Sequence, residues 1–246
     1  MNILLSNDDG INSLGILTLK KILEKDFNIF VSAPSKERSA TSQALTIFRR
    51  MLVEKISDNF YSVGGFPTDC VNIGLFGNIF PKIDMVISGI NRGVNMGHDV
   101  HYSGTVGAAR HGAVHGLYSL ALSSGNRTEN YDYERESIFI SNFIKQKMNK
   151  LKKGIVYNIN FPLEYSHEIV DMAITHLGQR TYSDQYHIAE FKENKFHYLL
   201  ALTEMGYKVE KGTDFESYHQ GKITITPISL NTTHEEELVL MRENFL

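Results

Sequence analysis

The sequence predicts an α/β fold, a mostly parallel sheet flanked by helices, and three observations carry that reading. Apolar runs of strand length alternate with segments of helical periodicity as far as Phe161. The runs Met1–Leu5 and Phe27–Ala33 are predominantly apolar, interrupted only at Asn2, Asn28 and Ser32, as expected of strands covered on both faces. Polar or glycine-rich segments follow these runs, where open α/β sheets carry their ligands. With 246 residues, 42% of them hydrophobic, the chain can build one large core.

Taken in order, Met1–Leu5 is the first strand, ending in Ser6-Asn7-Asp8-Asp9-Gly10. Ile16, Leu19 and Leu23 recur at helical spacing up to Lys25, and Phe27–Ala33 is a second strand stopped at Pro34. The polar segment Ser35–Ser39 follows it, and right-handed crossover topology brings Ser39 to the same rim as Asp8 and Asp9. Short β-prone runs between Leu45 and Val63, broken at Ser57-Asp58-Asn59, predict an inserted β-hairpin. Pro67-Thr68-Asp69 predicts a helix start.

Asp84–Ser88 is the next strand, and it leads into the glycine-rich segment Gly89–Gly97, which contains Asn91 and Asn95. Ser103-Gly104-Thr105 then opens a small-residue helix whose N-terminus suits an anion such as phosphate. Leu120–Ser123 is a strand, Glu136–Met148 a helix buried through Ile140, Phe143, Ile144 and Met148, and Ile155–Phe161 a strand. From Glu164 the regularity fades until a last strand at Ile223–Pro227 and a short tail. We therefore expect a single domain over 1–246, with an α/β core at about 1–163 and a C-terminal extension at about 164–246.

Composition narrows the partners. A net charge of -3, without basic clustering, gives no footprint for a nucleic acid polymer. No window approaches a membrane span, the opening apolar run reaches Asp8 too soon for a signal peptide, and the lone Cys70 forms no internal disulfide. A cytoplasmic protein with no membrane attachment is expected.

The adjacent carboxylates Asp8 and Asp9 repel each other, and a site that keeps both ionised calls for a cation. A plain turn at Asn7–Gly10 is the alternative for that pair alone. Ser39 and Asn91, on separate strand ends, complete a set of hard oxygen donors that favours Mg²⁺ or Mn²⁺ over Zn²⁺. Singly, Ser39 reads as a helix cap and Asn91 as a turn residue. Arg38 and Arg92 are either phosphate partners or surface charges. His111 and His115, four apart, would share a helix face as zinc ligands do, but no acid follows His111; His98 and His101 are candidates for proton transfer. The segment Gly89–Gly97 lacks the G-x-G-x-x-G order of dinucleotide sites.

ILLSNDDGI at 3–11, APSKERS at 33–39, PTDCV at 67–71, SGINRGVNMG at 88–97 and DVHYSGTVGAA at 99–109 resemble the SurE family of metal-dependent survival-protein nucleotidases. Likeness continues at Tyr157–Pro162, Gly212-Thr213-Asp214 and Thr224–Pro227. The resemblance implies a Rossmann-like core, a projecting β-hairpin and a C-terminal oligomerisation segment exchanged within a homodimer that can pair into a homotetramer. It implies hydrolysis of nucleoside 5′-monophosphates, with 3′-nucleotides and short polyphosphate as further substrates, using one divalent metal ion per subunit. Asp8, Asp9, Ser39 and Asn91 match the family's metal ligands, and Asn95 and Ser103-Gly104-Thr105 its phosphate-binding segments. Asp8, beside Asp9, is the candidate for orienting or deprotonating water, with an aspartyl-phosphate intermediate as the competing route. His111 stands where the family usually has Glu and Phe66 where it has Thr, and the chain has no Trp. A nucleotide-sensing or anion-binding module without turnover is the alternative from another class.

Overall fold

The structure, a computed structural model, describes residues 1–128, 130–163, 171–192, 195–202 and 206–245. Its elements in chain order are β1 (Asn2–Ser6), α1 (Leu14–Leu23), β2 (Asn28–Pro34), β3 (Val53–Ser57), β4 (Phe60–Val63), α2 (Pro67–Phe76), β5 (Met85–Arg92), α3 (Gly104–Val114), β6 (Tyr118–Ser124), α4 (Glu134–Lys147) and β7 (Val156–Phe161). The C-terminal part adds β8 (Met172–Ile174), β9 (Arg180–Thr181), β10 (Asp184–Lys192), β11 (Lys195–Leu202), β12 (Gly206–Tyr207), α5 (Asp214–His219), β13 (Ile223–Ile228) and α6 (Glu235–Phe245). Among the described residues the main sheet has nine strands, ordered β3-β4-β2-β1-β5-β6-β7-β13-β8. It is parallel from β4 to β7; β3 and β13 run antiparallel to their neighbours β4 and β7.

The pleat of β1 explains the apolar run Ile3-Leu4-Leu5 at its centre. Ile3 and Leu5 point to one face, into a layer with Ile16, Leu19 and Leu23 of α1 and Ile140 and Ile144 of α4. Leu4 points to the other, against Val71 of α2, Val86 and Ala108 of α3. With both faces covered, no position between Asn2 and Ser6 is free to be polar.

From β1 the chain steps outward to β2 and β4, then crosses back through α2 to β5 and steps outward the other way to β6 and β7. The direction reverses between β1 and β5, a topological switch point whose carboxyl-end crevice holds ligands in open α/β sheets. Asp8 and Asp9 follow β1 at that crevice, and Asn91 lies in the last residues of β5.

The hairpin expected between Leu45 and Val63 is β3–β4, and it is inserted at the edge of the main sheet. β4 pairs parallel with β2, Val31 opposite Phe60 and Pro34 opposite Val63, which buries Phe60 and Val63. The strand expected to stop at Ser88 runs on to Arg92: Gly89, at φ +132°, carries an irregularity, after which pairing with β6 resumes at Asn91 opposite Ser123. A separate antiparallel hairpin, β10–β11, belongs to the C-terminal part.

The expected boundary at Glu164 falls within 164–170, outside the described residues. Beyond it β13 and β8 continue the main sheet. The tail, with Leu238, Met241 and Phe245, forms α6, and no residue of that helix is buried.

Candidate active site

The loop after β1 is shaped by Asn7, whose side-chain Nδ2 donates to the Gly10 carbonyl and to Ser13 Oγ. Gly10 sits at φ +99°, where a side chain would be strained and would press on the Lys36–Glu37 backbone. Backbone bonds from Ile11 N to the Pro34 carbonyl and from Arg38 N to the Asp8 carbonyl join this loop to the one after β2. The crossover geometry expected from sequence is therefore present, and Ser39 shares a cavity with Asp8, Asp9 and Asn91.

That cavity has a volume of about 510 Å³, and Asn95 and Ser103 also line it. Asp8 is buried, and Thr105 donates Oγ1–H to Asp8 Oδ1 at 2.5 Å and its N–H to Oδ2 at 3.1 Å. Gly104 makes room for this: a Cβ there would lie 2.9 Å from Asp8 Cβ. Asp9 Oδ2 accepts from Arg92 N at 3.1 Å. Ser39 Oγ donates to Glu37 Oε1, and Asn91 turns its Nδ2 onto the Gly93 carbonyl, leaving its side-chain oxygen as the atom a hard cation would use.

Burial, reinforced by the neighbouring Asp9 charge, pushes the Asp8 pKa up to about 6, against the hydrogen bonds from Thr105. Burial likewise raises that of Asp9, and Glu37 adds to it while the Arg92 N–H and charge oppose it. Two adjacent carboxylates are thus held where ionising both is unfavourable without added positive charge. A divalent cation would relieve this, and four oxygen-bearing side chains from three strand-end segments suit Mg²⁺ or Mn²⁺. The residues fit such an ion.

The N-terminus of α3 is not the open anion site that its sequence suggested. The amides of Thr105 and Val106 are taken by Asp8 and Ser103 Oγ, so the nearest anion to that helix end is the protein's own Asp8. Thr105 is wholly buried behind the cavity, whereas Ser103 faces it. Asn95 is fixed from behind by β7: Asn160 Oδ1 accepts from Asn95 N, while Asn158 and Asn160 both donate Nδ2 to its carbonyl. Asn95 Nδ2 in turn reaches Ser123 Oγ at 2.8 Å.

Other candidates stand apart. His98 and His101 are exposed and do not line the cavity. His111 Nε2 meets Asn72 Oδ1 at 3.1 Å and its ring packs edge-on to His115, with burial lowering its pKa. Arg38 lies over the Phe66 ring, while Arg92 lines the cavity. Cys70 is a buried free thiol.

Part of the cavity wall was not read from sequence. Asp99, Tyr102, Arg127, Arg180, Tyr182 and Leu200 form it. Arg180 and Tyr182 come from an irregular stretch without periodicity, and the signal that could have flagged them was a chemical one, Arg and Tyr alternating in Arg180-Thr181-Tyr182. Asp214 supports this wall by accepting from Gly97 N and Gly178 N.

The family model described as "Survival protein SurE" matches residues 3–184. A relative from Leptospira interrogans (serovar copenhageni, strain Fiocruz L1-130) named 5′-nucleotidase SurE is 54% identical over 233 residues, 95% of this chain and 93% of that protein. One of the same name from Histophilus somni (strain 2336) is 38% identical over 245 residues, 99% of this chain and 98% of the relative. The crystal structure of Sure protein from Aquifex aeolicus superposes with a TM-score of 0.84 at 31% identity, covering 99% of both chains. Similarity spans the strand-end loops as well as the sheet, and the chain belongs to the SurE family.

Proposed function

We propose that this chain is a 5′-nucleotidase, a phosphoric monoester hydrolase that converts nucleoside 5′-monophosphates to nucleoside and phosphate with the help of a divalent metal ion. The observation that carries the reading is the convergence of Asp8, Asp9, Ser39 and Asn91 on one cavity at the switch point, in a chain whose relatives are named 5′-nucleotidases.

A phosphate monoester dianion repels nucleophiles, so the protein's work is charge neutralisation and alignment of water opposite the leaving 5′-oxygen. An Mg²⁺ or Mn²⁺ ion held by Asp8, Asp9, Ser39 and Asn91, one per subunit, would supply neutralising charge and a more acidic water. Thr105 holds the Asp8 carboxylate in one orientation, from which Asp8 orients the attacking water and accepts its proton. Ser103 Oγ accepts from Val106 N, which leaves its hydroxyl hydrogen to donate to a phosphate oxygen. Asn95 spends one side-chain amide hydrogen on Ser123 and keeps the other for the same purpose. Arg92 and Arg127, both on the cavity wall, add positive charge. As the new P–O bond forms the P–O5′ bond breaks, the leaving 5′-oxygen takes a proton from solvent water, and Asp8 returns its proton to solvent, so that the nucleoside and phosphate leave with no net change of protons on the protein.

The extension beyond residue 163 supports homodimers, with pairing of dimers into tetramers as a further step, and the enzyme works in the cytoplasm. Among the described residues no helix is long and apolar enough to cross a membrane.

The test is phosphate release from nucleoside 5′- and 3′-monophosphates and short polyphosphate, with Mg²⁺, Mn²⁺ or chelator, beside Asp9→Asn. Calorimetric titration of each metal into both proteins accompanies it. Metal-dependent release from 5′-monophosphates, with metal binding and turnover both lost in the variant, is the expected result. Tight nucleotide binding without release in any metal would replace the enzyme by a sensing module.

A further inference from the structure

A second cavity, of about 260 Å³, adjoins the first. Asp9, Glu37 and Arg92 line both and so stand between them; the other walls of the second are Tyr133 and the start of α1 from Asn12 to Gly15. Its volume is below that of pockets that enclose drug-sized ligands, which suits a small ion with its waters rather than a nucleotide.

The start of α1 is uncapped toward this space. Ser13, the residue before the helix, forms no side-chain cap, because its Oγ accepts from Asn7 Nδ2 instead. The first turn holds no acidic residue, and the N–H groups of Leu14 and Gly15 have no acceptor among the described residues. Gly15 sets this end of the helix against the sheet: a Cβ there would collide with the Ile90 carbonyl oxygen, two residues before Arg92.

Tyr133 closes the cavity at the start of α4. It is 4% exposed, and its Oη has no hydrogen-bond partner among the described residues yet is not sealed from solvent. The opening it meets is this cavity. Its backbone is held at φ +53°, a left-handed conformation that is costly for a bulky residue and that concentrates where ligands are clamped. Burial, and behind it the Asp9 charge, push its pKa up to about 12, so the hydroxyl is kept as a donor.

The groups left without partners are therefore donors: the Tyr133 hydroxyl and two amides of a helix start, beside the Arg92 guanidinium. The acceptors on the wall are engaged, Asp9 Oδ2 by Arg92 N and Glu37 Oε1 by Ser39 Oγ. Unspent donors around a space of this size make an oxyanion site. The charges of Asp9 and Glu37 oppose an anion, and Arg92 together with a cation on Asp9 would offset them, so affinity is greatest in the metal-loaded protein.

We infer that the second cavity binds inorganic phosphate, apart from the place where the ester is cleaved, and that phosphate held there slows turnover without displacing substrate. This rests on the nucleotidase reading above, which makes phosphate the product.

Two measurements test it. In the first, inorganic phosphate is titrated calorimetrically into the Mg²⁺-loaded full chain, unmodified and as Tyr133→Phe, Leu14→Glu and Ser103→Ala. Tyr133→Phe deletes only the unpartnered hydroxyl and should weaken phosphate at this site by about tenfold, as loss of one hydrogen bond to a charged group does. Leu14→Glu puts a carboxylate on the half-exposed first residue of α1, where it complements the helix dipole, and should abolish the site while keeping the melting temperature. A phosphate site weakened in these two variants and retained in Ser103→Ala upholds the inference. Phosphate binding that neither variant changes, or no binding at all, overturns it.

In the second, phosphate inhibits hydrolysis of a 5′-monophosphate. It should lower kcat as well as raise KM in the unmodified protein, and only raise KM in Tyr133→Phe and Leu14→Glu. Purely competitive inhibition of the unmodified protein, or a kcat effect that persists in both variants, would overturn it. If no 5′-monophosphate is hydrolysed, the nucleotidase reading fails by itself, and the titration still decides whether the second cavity holds phosphate.

Discussion

Thr105 and Asp8 are joined by two hydrogen bonds, hydroxyl to Oδ1 and backbone N–H to Oδ2, so both carboxylate oxygens are oriented by one residue at the start of α3. The bonds favour the ionised form of a carboxylate that burial otherwise disfavours. Thr105 touches no part of the cavity, which makes it a positioning residue acting through Asp8. Thr105→Val keeps the shape and removes the hydroxyl. A hydrogen bond to a charged group contributes about 1.5–3 kcal/mol, so kcat should fall on the order of 10²-fold with KM nearly unchanged, while Thr105→Ser keeps most of the activity. Steady-state kinetics on the three proteins decides this, and a KM effect in place of a kcat effect would return Thr105 to the phosphate.

This pair also marks the limit of what the sequence conveyed. Asp8, Asp9, Ser39 and Asn91 could be brought together on paper because each follows or ends an apolar run, and parallel crossover topology fixes which rim those ends share. That Thr105 turns inward depends on Gly104 admitting the Asp8 side chain, a close approach that no periodicity encodes. Asp99, Arg180 and Tyr182 lay beyond reach for a different reason. They meet through β9, a strand of two residues held by long-range bonds between Asp214 and the Gly97 and Gly178 amides. The β3–β4 hairpin was visible as a hairpin, but its parallel pairing with β2 is a non-local choice that buries Phe60 and Val63.

Asn158 and Asn160 are wholly buried polar side chains in the middle of the sheet, and their partner is the Asn95 backbone. Asn160→Leu would leave the Asn95 N–H without its acceptor, and a buried donor stranded in this way costs about 1–3 kcal/mol. Chemical denaturation should show a loss of that size. Because the displaced segment also carries Asn95 to the cavity, KM for a 5′-monophosphate should rise several-fold. A destabilised variant with unaltered KM would separate Asn95 from substrate binding.

Glu136 gives a pH dependence away from the proposed metal ligands. It is wholly buried at the start of α4, Ser124 Oγ donates to its Oε1, and burial raises its pKa above the ordinary value. A carboxyl with a raised folded-state pKa binds its proton more tightly folded than unfolded. Its contribution to stability is therefore full below the unfolded pKa and is lost as pH rises through the folded one. Glu136→Gln removes that loss. The variant should melt a few degrees above the parent at pH 7, and the two should converge as the pH falls below 4.5, the ordinary value. Thermal melts across this range read the effect, and a variant less stable than the parent at pH 7 would mean that the ionised form is the one the fold prefers.

Helix α6 carries an apolar set that stays exposed among the described residues. Val239 and Leu240 are each 51% exposed and Phe245 78%, with Met241 close behind. Its first turn carries Glu235, Glu236 and Glu237, which complement the helix dipole. An unpartnered apolar stripe of this kind is stable in water when a second copy buries it, and exchange of a terminal element between protomers is a low-cost way to do so. Truncation after Asn231 removes no buried side chain of the described residues. The shortened protein should keep its melting temperature at high dilution while sedimenting as a smaller species than the full chain. A truncated protein that sediments with the parent's oligomeric state would assign the association to another surface, with the exposed β10–β11 hairpin, bearing Tyr186, Ile188 and Tyr198, as the next to alter.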